Sequence, residues 1–285
     1  MTGTLLLTST LVLLLYPLTQ GRELGWPAWG FTVMAASVPV LALFVAHQRA
    51  RSRRGKTPLV ELSLFRNKSF SAGTAIELLN GTATGIFFLA WMLYLQYGLG
   101  YSPLRAALTG IPFSIGAAAA SAVAVQYLLP RFGRKVLQAG AALMALSMLA
   151  YLWQADHYRA ALTPWQTIPT LWVMGLGMGL IMAPLVDLVL AEVPHRHAGS
   201  GSGVFNTVQQ LSQALGIALA SVLFFGPLGA DPTPRAYIDA FPTTLAWLAG
   251  INALLVVLMC ALPKKTQRHQ PDEEHTDENQ SVLTR

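Results

Sequence analysis

Eight stretches of this chain run for roughly 20 residues with hardly a charge among them: about 3–20, 26–46, 70–96, 106–129, 136–154, 166–190, 201–225 and 243–262. That is the length a helix needs to cross the hydrocarbon of a bilayer. Lipid offers backbone groups no hydrogen-bond partners, so only helices or closed barrels span it. Barrel strands alternate over about 10 residues, whereas these runs are longer and continuously apolar. The expected fold is an all-α integral membrane protein of eight transmembrane helices. Composition agrees, with 11% charged residues against about 25% in soluble domains.

The net charge of +6 does not point to nucleic acid, because the basic residues sit in short loops between the apolar runs. The loop HQRARSRRGKTPLVELSLFRNKS holds Arg49, Arg51, Arg53, Arg54, Lys56, Arg66 and Lys68 against Glu61 alone. On the same side fall Arg131, Arg134 and Lys135, then Arg196, then Lys264, Lys265 and Arg268, fourteen cations in all. The opposite loops hold four, Arg22, Arg105, Arg159 and Arg235. The positive-inside rule makes the first side cytoplasmic and, with an even number of spans, places both termini there. The expected location is the plasma (inner) membrane, with lipid as a constant partner. The acidic, polar segment 264–285 reads as a disordered cytoplasmic tail. No cleavable signal peptide is expected, since the first apolar run lacks a basic leader.

Few polar residues enter the spans. Of thirteen acids, Glu77 and Asp187 fall within them and Glu192 at an edge. Glu77 lies seven residues past Phe70, on the order of 10 Å into the layer at the helical rise, too deep for a short side chain to reach water easily. An ionised group there normally faces protein interior or an aqueous cavity, which makes Glu77 a proton-coupling candidate. Asn80, Thr84, Phe88 and Trp91 follow at spacings of three or four and share one helical face. Such a polar and aromatic stripe suits a cavity for amphipathic molecules, although an interhelical packing role for the same residues is the alternative. Asn206, Gln209, Gln210 and Gln213 form a second polar face, able to bind a neighbouring helix or line a pore. Of these, Asn206, Gln209 and Gln213 join the substrate-cavity candidates. Asp187, near the cytoplasmic end, reads as interfacial.

Gly81 and Gly85, Gly175 and Gly179, and Gly199 and Gly203 form GxxxG pairs that allow close helix approach. Pro39, Pro112, Pro169 and Pro184 interrupt or kink spans, as transporter helices tolerate. GLGMGL is no dinucleotide fingerprint and GSGSG no phosphate loop. Neither HExxH, GxSxG nor CxxC occurs. His195 and His197 lack a third ligand nearby, and Cys260 is the single cysteine. No enzyme activity, cofactor, metal site or nucleic-acid partner is expected.

Several passages, in a fixed order, resemble the C-terminal portion of the major facilitator superfamily, in its 14-helix drug:proton antiporter branch. They are PLVELSLFRNKSF, LPRFGRKVLQAG, GLGMGLIMAPL and VPHRHAGSGSGVFNTVQQLSQALGIALASVLF, the last the most specific. The resemblance covers residues 1 to 265. It implies two central transmembrane helices in 1–46, a basic cytoplasmic loop in 47–69, and a six-helix C-terminal transporter bundle in 70–263. It also implies export of small amphipathic compounds in exchange for protons, by two bundles rocking about a midplane site. The family's N-terminal six-helix bundle is not among these residues, so it would come from the same gene or another chain. The alternative is a truncated or non-transporting membrane protein acting as a partner or scaffold.

Overall fold

The computed structural model describes residues 2–20, 27–53, 62–191, 193–194, 197–228 and 233–262. Within them the chain is all-α and forms eight helical rods. The first two are α1 (Thr2–Gln20) and α2 (Ala28–Arg53). The third is α3 (Lys68–Leu93), continued by a π-helical turn over Tyr94–Gly98. The fourth is segmented into α4 (Pro103–Thr109), α5 (Ile111–Val123), a second π-helical turn, and α6 (Leu129–Phe132). The remaining rods are α7 (Lys135–Tyr158), α8 (Pro164–Leu190), α9 (Ala198–Leu223) and α10 (Pro234–Leu258).

Six of these rods are long and apolar enough to cross a membrane. Two expected spans depart from that description. In the first rod only Gly3–Leu14 stands out as an apolar helix, and it is shorter. Helix α9 has the length, 26 residues, but its four amides hold its hydropathy below that of the other long rods. The basic loop is also shorter than its charge suggests. Helix α2 continues through His47 to Arg53, and α3 already begins at Lys68. The expectations for Glu192, His195 and the tail 264–285 lie outside the described residues.

Local sequence explains the helix starts. Asn67 caps α3, its side chain accepting from the backbone N–H of Ser69 (2.8 Å) and Phe70 (3.3 Å), as asparagine commonly does at helix starts. Ser102 and Thr233 cap α4 and α10, each followed by proline in the first turn, where a missing N–H does no harm. Pro112 likewise opens α5 after the break at Gly110, while Pro39, Pro169 and Pro184 lie inside helices.

Lipid tails are as apolar as leucine, so rods associate through close packing instead of exclusion from water. The main pairs are α5 with α8, α7 with α10, α3 with α9, and α7 with α8; α3 also meets α10, and α1 meets α2 and α9. On the α5–α8 seam a methyl group at Gly175 or Gly179 would strike the Phe113 or Ala117 carbonyl. Gly199 and Gly203 behave differently: a Cβ added at either would meet no described residue within 4 Å, so this pair marks no close helix approach among the described residues. Outward, Leu5, Leu104, Val257 and many other large apolar side chains are exposed, as on a lipid-facing surface.

Candidate functional site

Helices α3 and α9 run side by side in the same direction, as three successive levels show. At the lowest, the Glu77 carboxyl faces the Gln209 side chain. One turn on, Gly81 lies against Ser212; another turn on, Gly85 lies against Gly216. A Cβ at Gly85 would sit 2.7 Å from the Gln213 carbonyl oxygen. The glycines thus bring the backbones together, and this closeness lets two short polar side chains meet one turn away. Glu77 is 2% exposed. It lies against a neighbouring helix and does not look out into open space.

Hydroxyl groups along this seam are used locally. Thr74, Thr82 and Thr84 donate to the carbonyls of Phe70, Leu78 and Asn80 at 2.6, 2.6 and 2.8 Å, and Ser212 donates to Gln209 O at 2.8 Å. Such bonds to the preceding turn satisfy the hydroxyl without reaching another helix. Asn80 is different: it is 2% exposed, and its Nδ2 has no partner among the described residues.

The aromatic end of the stripe belongs to other neighbours. Trp91 is buried and donates from Nε1 to the Tyr151 hydroxyl of α7 at 2.9 Å. Phe87 stacks on Trp91 with ring centroids 6.0 Å apart. Phe88, partly exposed, meets Phe113 of α5 edge-on at 5.5 Å. Of the stripe, then, Glu77 and Asn80 are buried at the α3–α9 level, Thr84 is half-buried, and Phe88 alone reaches an open surface.

The α9 amides divide in the same way. Asn206, Gln210 and Gln213 are exposed, at spacings that share one face, whereas Gln209 turns inward to Glu77. Asp187 is exposed near the end of α8. Sequence reasoning missed Tyr151, the partner of Trp91. A lone tyrosine in ALSMLAYLWQA is the only signal, and it does not reveal which helix the hydroxyl meets. Among the described residues no three His, Cys, Asp or Glu side chains are grouped as for a metal ion.

Residues 2–217 match the family described as the Major Facilitator Superfamily. A Streptomyces coelicolor protein named as a probable actinorhodin transporter is 44% identical over 231 residues, which are 81% of this chain and 40% of that protein. A Klebsiella pneumoniae protein named for multidrug resistance, MdtD, is 29% identical over 277 residues, 96% of this chain and 55% of its own length. A Salmonella heidelberg protein of the same name is 28% identical over 275 residues, 94% of this chain and 56% of its own length. The chain spans about half the length of the curated relatives it matches.

Proposed function

The chain belongs to the major facilitator superfamily, and from that premise we propose that it forms the C-terminal part of a proton-coupled exporter of small amphipathic molecules, within the 14-helix antiporter branch. In this reading the first two rods are the central pair, the next six form the C-terminal bundle, and both ends face the cytoplasm. The relatives named for actinorhodin transport and for multidrug resistance support export as the activity. The partly exposed Phe88, set edge-on against Phe113, supports a substrate with a planar aromatic portion.

The observation that carries the proposal is Glu77, a buried carboxyl facing Gln209 across a glycine-lined helix seam. Ionised, a carboxylate only accepts hydrogen bonds; protonated, it also donates one. Gln209 can answer both states, offering its NH2 to the carboxylate and its carbonyl to the neutral acid. The pair can therefore load and release a proton without leaving either side chain unsatisfied. Exchange of the bond across the seam would couple that event to the relative position of α3 and α9, a shift of the kind alternating access requires. A second six-helix bundle, from the same or another polypeptide, supplies the body against which this one rocks.

The test is ethidium accumulation in everted vesicles from cells expressing the chain from its native locus, driven by an acid interior. Glu77→Gln keeps a polar side chain facing Gln209 but cannot carry the proton. It is expected to abolish gradient-driven accumulation while leaving ethidium binding in place. Unchanged accumulation would remove Glu77 from the coupling.

A further inference from the structure

Away from Glu77, α7 bears Ser147, Tyr151 and Gln154 at spacings of four and three, which align on one side of a helix. They cover seven residues, about 10 Å at the helical rise. Ser147 and Tyr151 are buried. The Ser147 Oγ and the Gln154 Oε1 are shielded and have no hydrogen-bond partner among the described residues. Tyr151 accepts from Trp91, which leaves its own O–H still to be placed. Facing it, the Tyr94 hydroxyl is fully buried and equally without a partner. Both tyrosines flank one ring: Tyr94 stacks on Phe241 at 4.2 Å, and Tyr151 meets it edge-on at 5.3 Å. From α10, Asn252 gives its Nδ2 to Leu248 O (2.9 Å) and Met148 Sδ (3.4 Å), so its buried Oδ1 is left over.

Polar atoms gathered in one dry seam would each carry the full cost of lost hydration. Ordered water, with two to four polar partners per molecule, is the usual remedy in protein interiors. We propose that the α3–α7–α10 seam holds a file of water running inward from Gln154 to Ser147 and Asn252, and that this file delivers protons toward Asn80 and Glu77. The second half rests on the reading of Glu77 as the coupling acid. Trp91 stands abreast of Tyr151, so Ser147 lies near the level of Phe87, about 10 Å above Asn80 on the helical rise. Asn80 itself presents another buried, unpartnered amide. Along the file each water or hydroxyl accepts a proton on a lone pair and passes on another, so nothing is gained or lost on the way. The amides of Gln154, Asn252 and Asn80 hold the water and do not relay. Near the entrance, Gln154 Nε2 is fixed to Gln166 O at 3.1 Å, and the Tyr101 hydroxyl donates to Leu162 O at 3.1 Å.

Hydroxyl-radical footprinting of the chain in native membranes tests the water directly. Tyr94, Tyr151 and Met148 are expected to be oxidised although buried, while Met174, buried on α8 and 0% exposed, stays protected. Protection of all three would overturn the file. Its role is read from the initial rate of ethidium-driven proton release from the everted vesicles. Tyr151→Phe combined with Ser147→Ala should slow release several-fold while the final ethidium accumulation is kept. If Glu77→Gln uncouples transport but the double variant releases protons at the parental rate, the route is overturned and the coupling acid stands. If Glu77→Gln leaves coupling intact, the coupling acid and the delivery route both fall, and footprinting alone decides whether water is there.

Discussion

Gly81 offers a sharp test of the α3–α9 seam. An alanine Cβ built there would overlap the Ser212 hydroxyl and stand 2.8 Å from the Ser212 Cβ. Turning the hydroxyl aside cannot relieve the second clash, because that Cβ is fixed to the α9 backbone. The helices must part by several tenths of an ångström. Overpacking of this kind costs about 1–3 kcal/mol, and pulling Gln209 away from the Glu77 carboxyl one turn below adds about 0.6 kcal/mol, the scale of interhelical polar contacts in membranes. Against this, replacing glycine by alanine within a helix gains up to about 1 kcal/mol. The net expectation for Gly81→Ala is a loss of about 0.6–2.6 kcal/mol. Gly203→Ala is the matched control, since its Cβ would meet no described residue within 4 Å, and it should be neutral or stabilising. Heating in mild detergent, with soluble protein measured after each step, gives the midpoints. Ser212→Gly added to Gly81→Ala should restore at least half of the lost stability, as coupled neighbours do. If Gly81→Ala melts with the parent and Gly203→Ala, the seam is not close-packed and the argument from Glu77 to Gln209 loses its footing.

Arg134, in the turn between α6 and α7, donates to the carbonyls of Cys260 and, at 2.7 Å, Leu262 beyond the end of α10. Arg134→Ala should speed amide exchange over residues 256–262 and leave α3 unchanged, as exchange mass spectrometry can show. Arg159 holds a positive φ of 47°, a conformation that strains any residue but glycine, while pairing with Asp239 at 3.2 Å and Asp156 at 3.9 Å. These exposed pairs contribute little, about 0–1 kcal/mol, and the strain costs about 1 kcal/mol. Arg159→Gly is therefore expected to melt close to the parent, and Arg159→Ala measurably lower.

The helices were largely legible because each crossing must be apolar over its whole length, and that requirement leaves a continuous mark in the sequence. Partners were not legible. Gly81-x-x-x-Gly85 and Gly199-x-x-x-Gly203 read alike, yet the first lies against Ser212 and Gly216, while a Cβ added at either glycine of the second would meet none of the described residues within 4 Å. The difference lies in what stands opposite, which no local pattern records. The stripe from Glu77 to Trp91 has the spacing of a single face, but the bundle shares that face among three neighbours. Gln209 goes to Glu77, Tyr151 to Trp91 and Phe113 to Phe88. Gln209 and Gln210 are adjacent in sequence, and only the geometry of α9 against α3 separates the half-buried amide from the exposed one.

The composition of α9 bears on how the protein is made. A segment with one asparagine and three glutamines partitions poorly into lipid by itself, so α9 gains little from leaving the translocon alone. Its glycine face and Gln209 find a match on α3, which emerges from the ribosome more than a hundred residues earlier. In the proposed eight-span arrangement, insertion of α9 thus depends on an earlier helix remaining nearby as a docking template. Damage to the α3 side of that contact would show first as a biosynthetic failure, with α9 stranded outside the bilayer and α10 threaded in the wrong direction.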